Sequence, residues 1–193
     1  MLTTLLDKSN SKLLKGKFNV ENREIFNENI SNLPLKKHTV VIHNKQILTP
    51  RKIGFFSNDS IGYRYTGNIL PACKFDDYPF LLDILNQVNE YTQSDFNAIL
   101  INKYSDGNDY IGPHSDDERN LANNGVVTIS FGASRKFRIR DKNTKIIIKD
   151  VIVEDGDLYW MQGEFQKHFT HEIVKQLTVK DERISLTFRK HKV

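Results

Sequence analysis

HSD at residues 114–116, RISLTFR at 183–189 and the histidine His171 between them decide how this chain is read. In an extended segment side chains alternate with period two, so His114 and Asp116 leave one face together. Two imidazoles and one carboxylate make the facial triad that holds Fe(II) and leaves its opposite positions open. His171 is the candidate third ligand, arriving from a neighbouring strand. Alone, one His-x-Asp among six histidines is more commonly a solvated turn. The second motif changes the weighing. Arg183 and Arg189 stand six residues apart, an even spacing that puts both guanidiniums on one strand face. Planar arginine forks suit carboxylates, and a dicarboxylate needs a partner at each end.

Outward from these motifs the chain reads as short strands. The run AILINKY (98–104) carries Asn102 and Tyr104 just before the first histidine. Strand-like runs cover 97–104, 126–131, 136–140, 145–153, 157–161 and 182–188, with turns such as DKNT (141–144) and EDGD (154–157) between them. This spacing predicts a sandwich or barrel. Ahead of it, Phe80, Leu81, Ile84, Leu85 and Val88 form one stripe of a helix beginning after Pro79, with Asp76 or Asp77 near its start. That stripe is core packing. An apolar-biased stretch runs from Thr39 to Leu48 and ends at Pro50. Residues 1–35 are polar and lysine-rich, and read as a loosely attached extension or a short helix.

A chain of 193 residues fits one domain with a full core. Its single cysteine, Cys73, excludes a disulfide framework and fits a reducing compartment. Asp7 interrupts the segment where a signal peptide would be apolar, and no run reaches membrane-spanning length. A soluble intracellular monomer is expected, with nucleus or cytoplasm left open. The net charge of +4 is modest. Between Arg135 and Lys149, however, seven basic residues face one acid, Asp141, which suits phosphates as well as a solvated ribbon.

Taken together the chain resembles the AlkB family of iron- and 2-oxoglutarate-dependent dioxygenases. The matching text is NKYSDGNDYIGPHSDDE (102–118), SFGASRKFRIR (130–140), HFTHEI (168–173) and RISLTFRK (183–190), with PRKIGFF (50–56) and GYRYTG (62–67) upstream. The likeness is nearest to the branch that repairs alkylated double-stranded DNA. It implies a mainly β, α+β fold: a double-stranded β-helix, or jelly-roll, core over 97–193. A substrate lid and supporting helix would occupy 36–96, completing one dioxygenase domain over 36–193 behind the extension 1–35.

The resemblance also implies roles. His114, Asp116 and His171 would hold Fe(II), with His168 as a core or supporting histidine. Arg183 and Tyr104 would bind the far carboxylate of 2-oxoglutarate, and Asn102 and Arg189 the end nearest the metal. Ser185 stands where the founding bacterial-type members carry an asparagine. Tyr63, Tyr65, Asp117 and Glu118 would face the extruded base, because a base outside the stack needs an aromatic face and polar groups for its edge. Without the likeness, Tyr63 and Tyr65 read as a half-buried strand, and the acids as an exposed turn. His43 falls where the duplex branch carries an aromatic wedge, with Arg51 beside the gap. Arg138, Arg140 and Lys142 would touch phosphates. The implied reaction consumes 2-oxoglutarate and O2 and removes N-alkyl groups from bases in DNA, single- or double-stranded. RNA demethylation is the nearest rival, and a protein hydroxylase or a non-catalytic nucleic-acid-binding jelly roll the more distant ones.

Overall fold

The computed structural model describes residues 1–42, 45–65, 68–118, 121–122 and 125–192. Strands β1 (Thr3–Lys8) and β2 (Ser11–Lys17) precede helix α1 (Arg23–Ser31). Then come β3 (Thr39–Ile42), β4 (Lys45–Leu48), β5 (Lys52–Phe56), β6 (Gly62–Tyr65) and β7 (Asn68–Pro71). Helix α2 (Pro79–Thr92) leads into β8 (Ala98–Tyr104) and β9 (Ile111–His114). The chain continues through β10 (Val126–Gly132), β11 (Arg135–Asp141), β12 (Ile147–Val153) and β13 (Asp157–Gly163). The short helix α3 (Phe165–His168), β14 (Phe169–Ile173) and β15 (Arg183–Arg189) follow.

Seven strands form one sheet in the order β1-β2-β13-β10-β15-β8-β5, and four form another in the order β12-β11-β14-β9. Every pairing in both is antiparallel. The two make a jelly roll. Two separate hairpins, β3–β4 and β6–β7, stand on the β5 side and line one cavity together with Ile53, Gly54 and Phe55.

Period-two patterning explains the layering. Ile99, Ile101, Val127, Ile129, Leu186 and Phe188 leave one face of the large sheet and pack with Phe26 and Ile30 of α1 and Leu81, Ile84, Leu85 and Val88 of α2. Each fully buried side chain of this kind contributes about 1.5–3 kcal/mol of apolar transfer. The opposite face of the same strands carries Asn102, Tyr104, Thr128, Ser130, Arg183, Ser185, Thr187 and Arg189, all lining a cavity between the sheets.

Three local expectations need correction. Residues 1–35 do contain a short helix, α1, but they are not a loose extension: β2 pairs along β13 from Ser11↔Gly163 to Lys17↔Asp157, and Leu13 is fully buried. Lys15 and Lys17 reach the buried Asp157 carboxylate at 2.8 and 2.7 Å, which is why a lysine-rich strand docks here. Neither Asp76 nor Asp77 caps α2. Both lie in a preceding 3-10 turn, Pro79 opens the helix at its first turn, and Gln93 closes it in the left-handed conformation. The strand expected from residue 145 starts at Ile147, because Asp141 accepts bonds from the amides of Asn143 and Thr144 and holds the turn open to Lys145.

Candidate metal and co-substrate site

β9 ends on His114, and the β9–β14 ladder sets it directly opposite His171. The chain then turns: Ser115 Oγ donates to the Phe169 carbonyl and the Asp116 amide donates to Gln166 Oε1 at 2.9 Å. These bonds swing the Asp116 carboxylate under the two imidazoles. One ligand atom from each of His114, Asp116 and His171 lies within 4.8 Å of the others. His171 Nε2 is 3.5 Å from Asp116 Oδ2, and the imidazole rings are 4.3 Å apart.

The protonation states suit a cation. His114 Nδ1 sits 2.9 Å from the Gly112 carbonyl, so that nitrogen carries the proton and Nε2 presents its lone pair. Burial, reinforced by the neighbouring His171, pushes the His114 imidazole down to about 3 and keeps it neutral. Burial alone would raise Asp116, but the Arg189 guanidinium and His171 outweigh it and hold the carboxyl well below the usual range. Two imidazoles, one of them held neutral, and an ionised carboxylate converging in one cleft are the donor set that Fe(II) accepts.

Arg183 lies across the cavity, 3% exposed. Its Nε donates to Ser130 Oγ at 2.8 Å and its guanidinium covers the Tyr104 ring at 5.1 Å. Its Nη1 is buried without a hydrogen-bond partner. A buried, unpaired guanidinium N–H costs the desolvation of a charged donor, so this one fits a carboxylate supplied from outside. Burial also lowers the Arg183 pKa. Ser185 and Asn102 face each other across β15 and β8 in the same cavity wall. The distribution of groups matches a metal at one end and a dicarboxylate reaching the other.

Not every expected residue stands where it was expected. Arg51 is not at the surface: it is 2% exposed and its Nε donates to Asn102 Oδ1 at 2.6 Å, inside the co-substrate end. Glu118 is no exposed acid either. Its carboxylate accepts from Arg189 Nη1, while Arg189 Nη2 reaches Asp116 Oδ1 at 3.2 Å. Asp117 is exposed and paired with Lys142 at 2.9 Å. His168 is neither core nor beside the ligands; its ring is half-exposed on α3 and faces Glu164 at 3.3 Å. Tyr63 is buried, lies 5.1 Å from the Arg189 guanidinium, and its hydroxyl is pushed up by that burial. Tyr65 is placed only by its backbone in β6, and His43 lies outside the described residues.

The basic run splits. Arg135 is fully buried and donates to the carbonyls of Asp106, Asp109 and Val174. Arg138 takes Asp150 through two bonds, and Arg140 takes Glu172. Sequence reading missed Ser130 and Gln166. For Ser130 a signal existed: Thr128 and Ser130 interrupt an apolar strand with period two.

With this geometry in view, the profile of the 2OG-Fe(II) oxygenase superfamily matches residues 13–189. The fold and the site thus define an iron- and 2-oxoglutarate-dependent dioxygenase. The chain belongs to that superfamily, and its relatives there are AlkB-type proteins. It is 32% identical over 159 residues to the Homo sapiens DNA oxidative demethylase ALKBH2, covering 78% of this chain and 60% of that protein. It is 29% identical over 174 residues to the Bos taurus alpha-ketoglutarate-dependent dioxygenase alkB homolog 3, covering 86% and 60%. The chain therefore spans about 60% of the length of these curated relatives. Among solved structures, OsALKBH1 shares the fold with a TM-score of 0.60 at 16% identity, covering 98% of this chain and 100% of that one. No helix among the described residues is long and apolar enough to cross a membrane.

Proposed function

We propose that this protein oxidatively dealkylates N-alkylated nucleobases, 1-methyladenine and 3-methylcytosine among them, in DNA, and so repairs alkylation damage. The observation that carries the reading is one cavity holding the His114–Asp116–His171 cluster at one end and the unpaired Arg183 Nη1 at the other, with Tyr63 in its wall. The names of the relatives supply the substrate class.

When bound, iron and 2-oxoglutarate supply the oxidation: O2 and the 2-oxo acid are converted to succinate and CO2 while an N-alkyl carbon gains a hydroxyl, and the product breaks down to an aldehyde and the unmodified base. The protein's own groups do the positioning. His114, Asp116 and His171 hold the metal. Arg183, Tyr104, Asn102 and Ser185 hold and orient the co-substrate, together with Arg189, whose Nε is left without a partner in the same cavity. Arg189 keeps Asp116 ionised and aimed. Tyr63 lines both this cavity and a neighbouring one of about 470 Å³ lined by the hairpins, so it stands between the metal end and the side from which a base would enter. The exposed Asp117 is assigned to the substrate, because a carboxylate favours the cationic alkylated bases.

Formaldehyde and succinate release with methylated oligonucleotides, DNA and RNA, single- and double-stranded, tests this reading. Equimolar formaldehyde and succinate with a methylated DNA strand is expected. Succinate without formaldehyde on every nucleic acid would overturn the substrate assignment and leave the oxygenase class intact.

A further inference from the structure

His191, two residues beyond Arg189, is fully buried and belongs to none of the sets above. Its Nε2 lies 3.0 Å from Glu118 Oε2, and its Nδ1 lies 2.9 Å from Ser60 Oγ. Glu118 in turn takes Arg189 through its other oxygen. Ser60 bonds both the amide and the carbonyl of Gly62, the residue that opens β6 and precedes Tyr63. One imidazole therefore joins three segments: the turn after the metal ligand Asp116, the end of β15, and the entry to the β6–β7 hairpin.

We propose that His191 is a positioning residue that ties the hairpin carrying Tyr63 and Tyr65 to the Arg189–Glu118 clamp, setting where a substrate stands over the site. The inference rests on reading His114, Asp116 and His171 as the metal site. Two features favour a specific tie over general core packing. The first is polarity: a buried ring with both nitrogens engaged, one on a carboxylate, is a directional link whose loss leaves Glu118 with an unmet acceptor. The second is redundancy in the backbone. The His191 amide donates to Asn97 Oδ1 at 2.8 Å and its carbonyl accepts from Asn97 Nδ2 at 3.0 Å, so the chain path is fixed without the ring. The ring's own bonds, to Glu118 and Ser60, run toward the site instead. It also stacks on Phe55 at 5.1 Å, which a phenyl group can reproduce.

These contacts separate packing from hydrogen bonding. His191→Phe keeps the stack and drops both ring bonds, whereas His191→Gln retains a donor and an acceptor on a shorter reach. Three measurements on the full chain follow. Hydrogen exchange of the 57–65 amides, without metal or substrate, should accelerate about tenfold in His191→Phe, the loss of one charge-assisted bond, and recover in part in His191→Gln. The KM for methylated oligonucleotide should rise by a similar factor in His191→Phe while Mn(II) affinity stays within about twofold, since no metal ligand has moved. The melting midpoint should fall by only a few degrees, the cost of one unmet buried acceptor. Normal exchange at 57–65 and a normal KM in His191→Phe would overturn the proposal. A fall in melting midpoint with normal KM would make His191 structural only. Because exchange is read without substrate, its result stands even if no nucleic acid is demethylated.

Discussion

On one face of β15, Ile184, Leu186 and Phe188 disappear into apolar contacts with the helices; on the other, Arg183, Ser185, Thr187 and Arg189 line a cavity. Both faces are buried, and they are buried for different reasons. The first is satisfied by any close-packed apolar group and leaves nothing over. The second carries donors that the folded chain itself does not use up: Arg183 Nη1 and Arg189 Nε are buried without a hydrogen-bond partner, as is Nδ1 of His171 on β14 across the cavity. Buried polar groups are otherwise almost always paired. Unspent hydrogen-bonding capacity on one side of a strand is the physical mark of a site, and its absence on the other side is the mark of a core.

The sharpest way to break that contrast is at the metal end. Asp116→Ala and His171→Ala should each lose metal binding and drop turnover to background in a protein that still melts cooperatively. His168→Ala should keep the metal, because its ring faces Glu164 at the rim. Titrating Mn(II) into the three variants decides it; loss in His168→Ala with retention in His171→Ala would reverse the ligand assignment.

The two faces can then be set against each other directly. Arg183→Lys keeps a charge but loses the fork, so the KM for 2-oxoglutarate should rise by about ten- to a hundredfold, the worth of one or two charge-assisted bonds. Nucleic-acid affinity should not follow. One residue pair away, Leu186→Ala should cost about 2–5 kcal/mol of stability and leave that KM unchanged in the protein that remains folded. Equal co-substrate titrations for wild type and Arg183→Lys, or a KM shift in Leu186→Ala, would erase the distinction between the faces.

The site face of β15 was legible because period-two spacing is a local property: the spacing of Arg183 and Arg189 puts both on one face before any fold is known, whereas Asp116 lies past the end of β9 and reaches His114 through a turn held by Phe169 and Gln166, not through strand alternation. The strands were legible for the same reason, and the α2 stripe by its helical period. What could not be read was who meets whom across the sheet. Arg51 pointing at Asn102, Glu118 turning inward to Arg189 and His191, and Arg135 sinking among carbonyls all depend on contacts between residues dozens of positions apart. The N-terminal strands were missed because β2 carries lysines that point at a single buried aspartate, Asp157, and a charge count cannot see one partner. The pairing within the basic run was hidden likewise, since composition registers its cations and not the acids that face them.

That hidden pairing gives the smallest predicted effect. Seven basic residues on one run suggested a phosphate footprint, but Arg138, Arg140 and Lys142 already hold Asp150, Glu172 and Asp117 at 2.7, 2.8 and 2.9 Å. Exposed pairs of this kind are worth only about 0.2–1 kcal/mol, so a phosphate can displace the carboxylate. The released acid then gathers cations of its own, which offsets the counterions that the phosphate gives up. Replacing all three by Ser should therefore flatten the slope of log K against log salt by less than about one unit in total, where three free phosphate contacts would remove about three. Asp150→Asn sharpens the point from the other side: it frees Arg138 and should steepen the slope. A three-unit loss in the triple variant, with no change in Asp150→Asn, would show that the pairs dissolve at the nucleic acid and that the run is a phosphate surface after all.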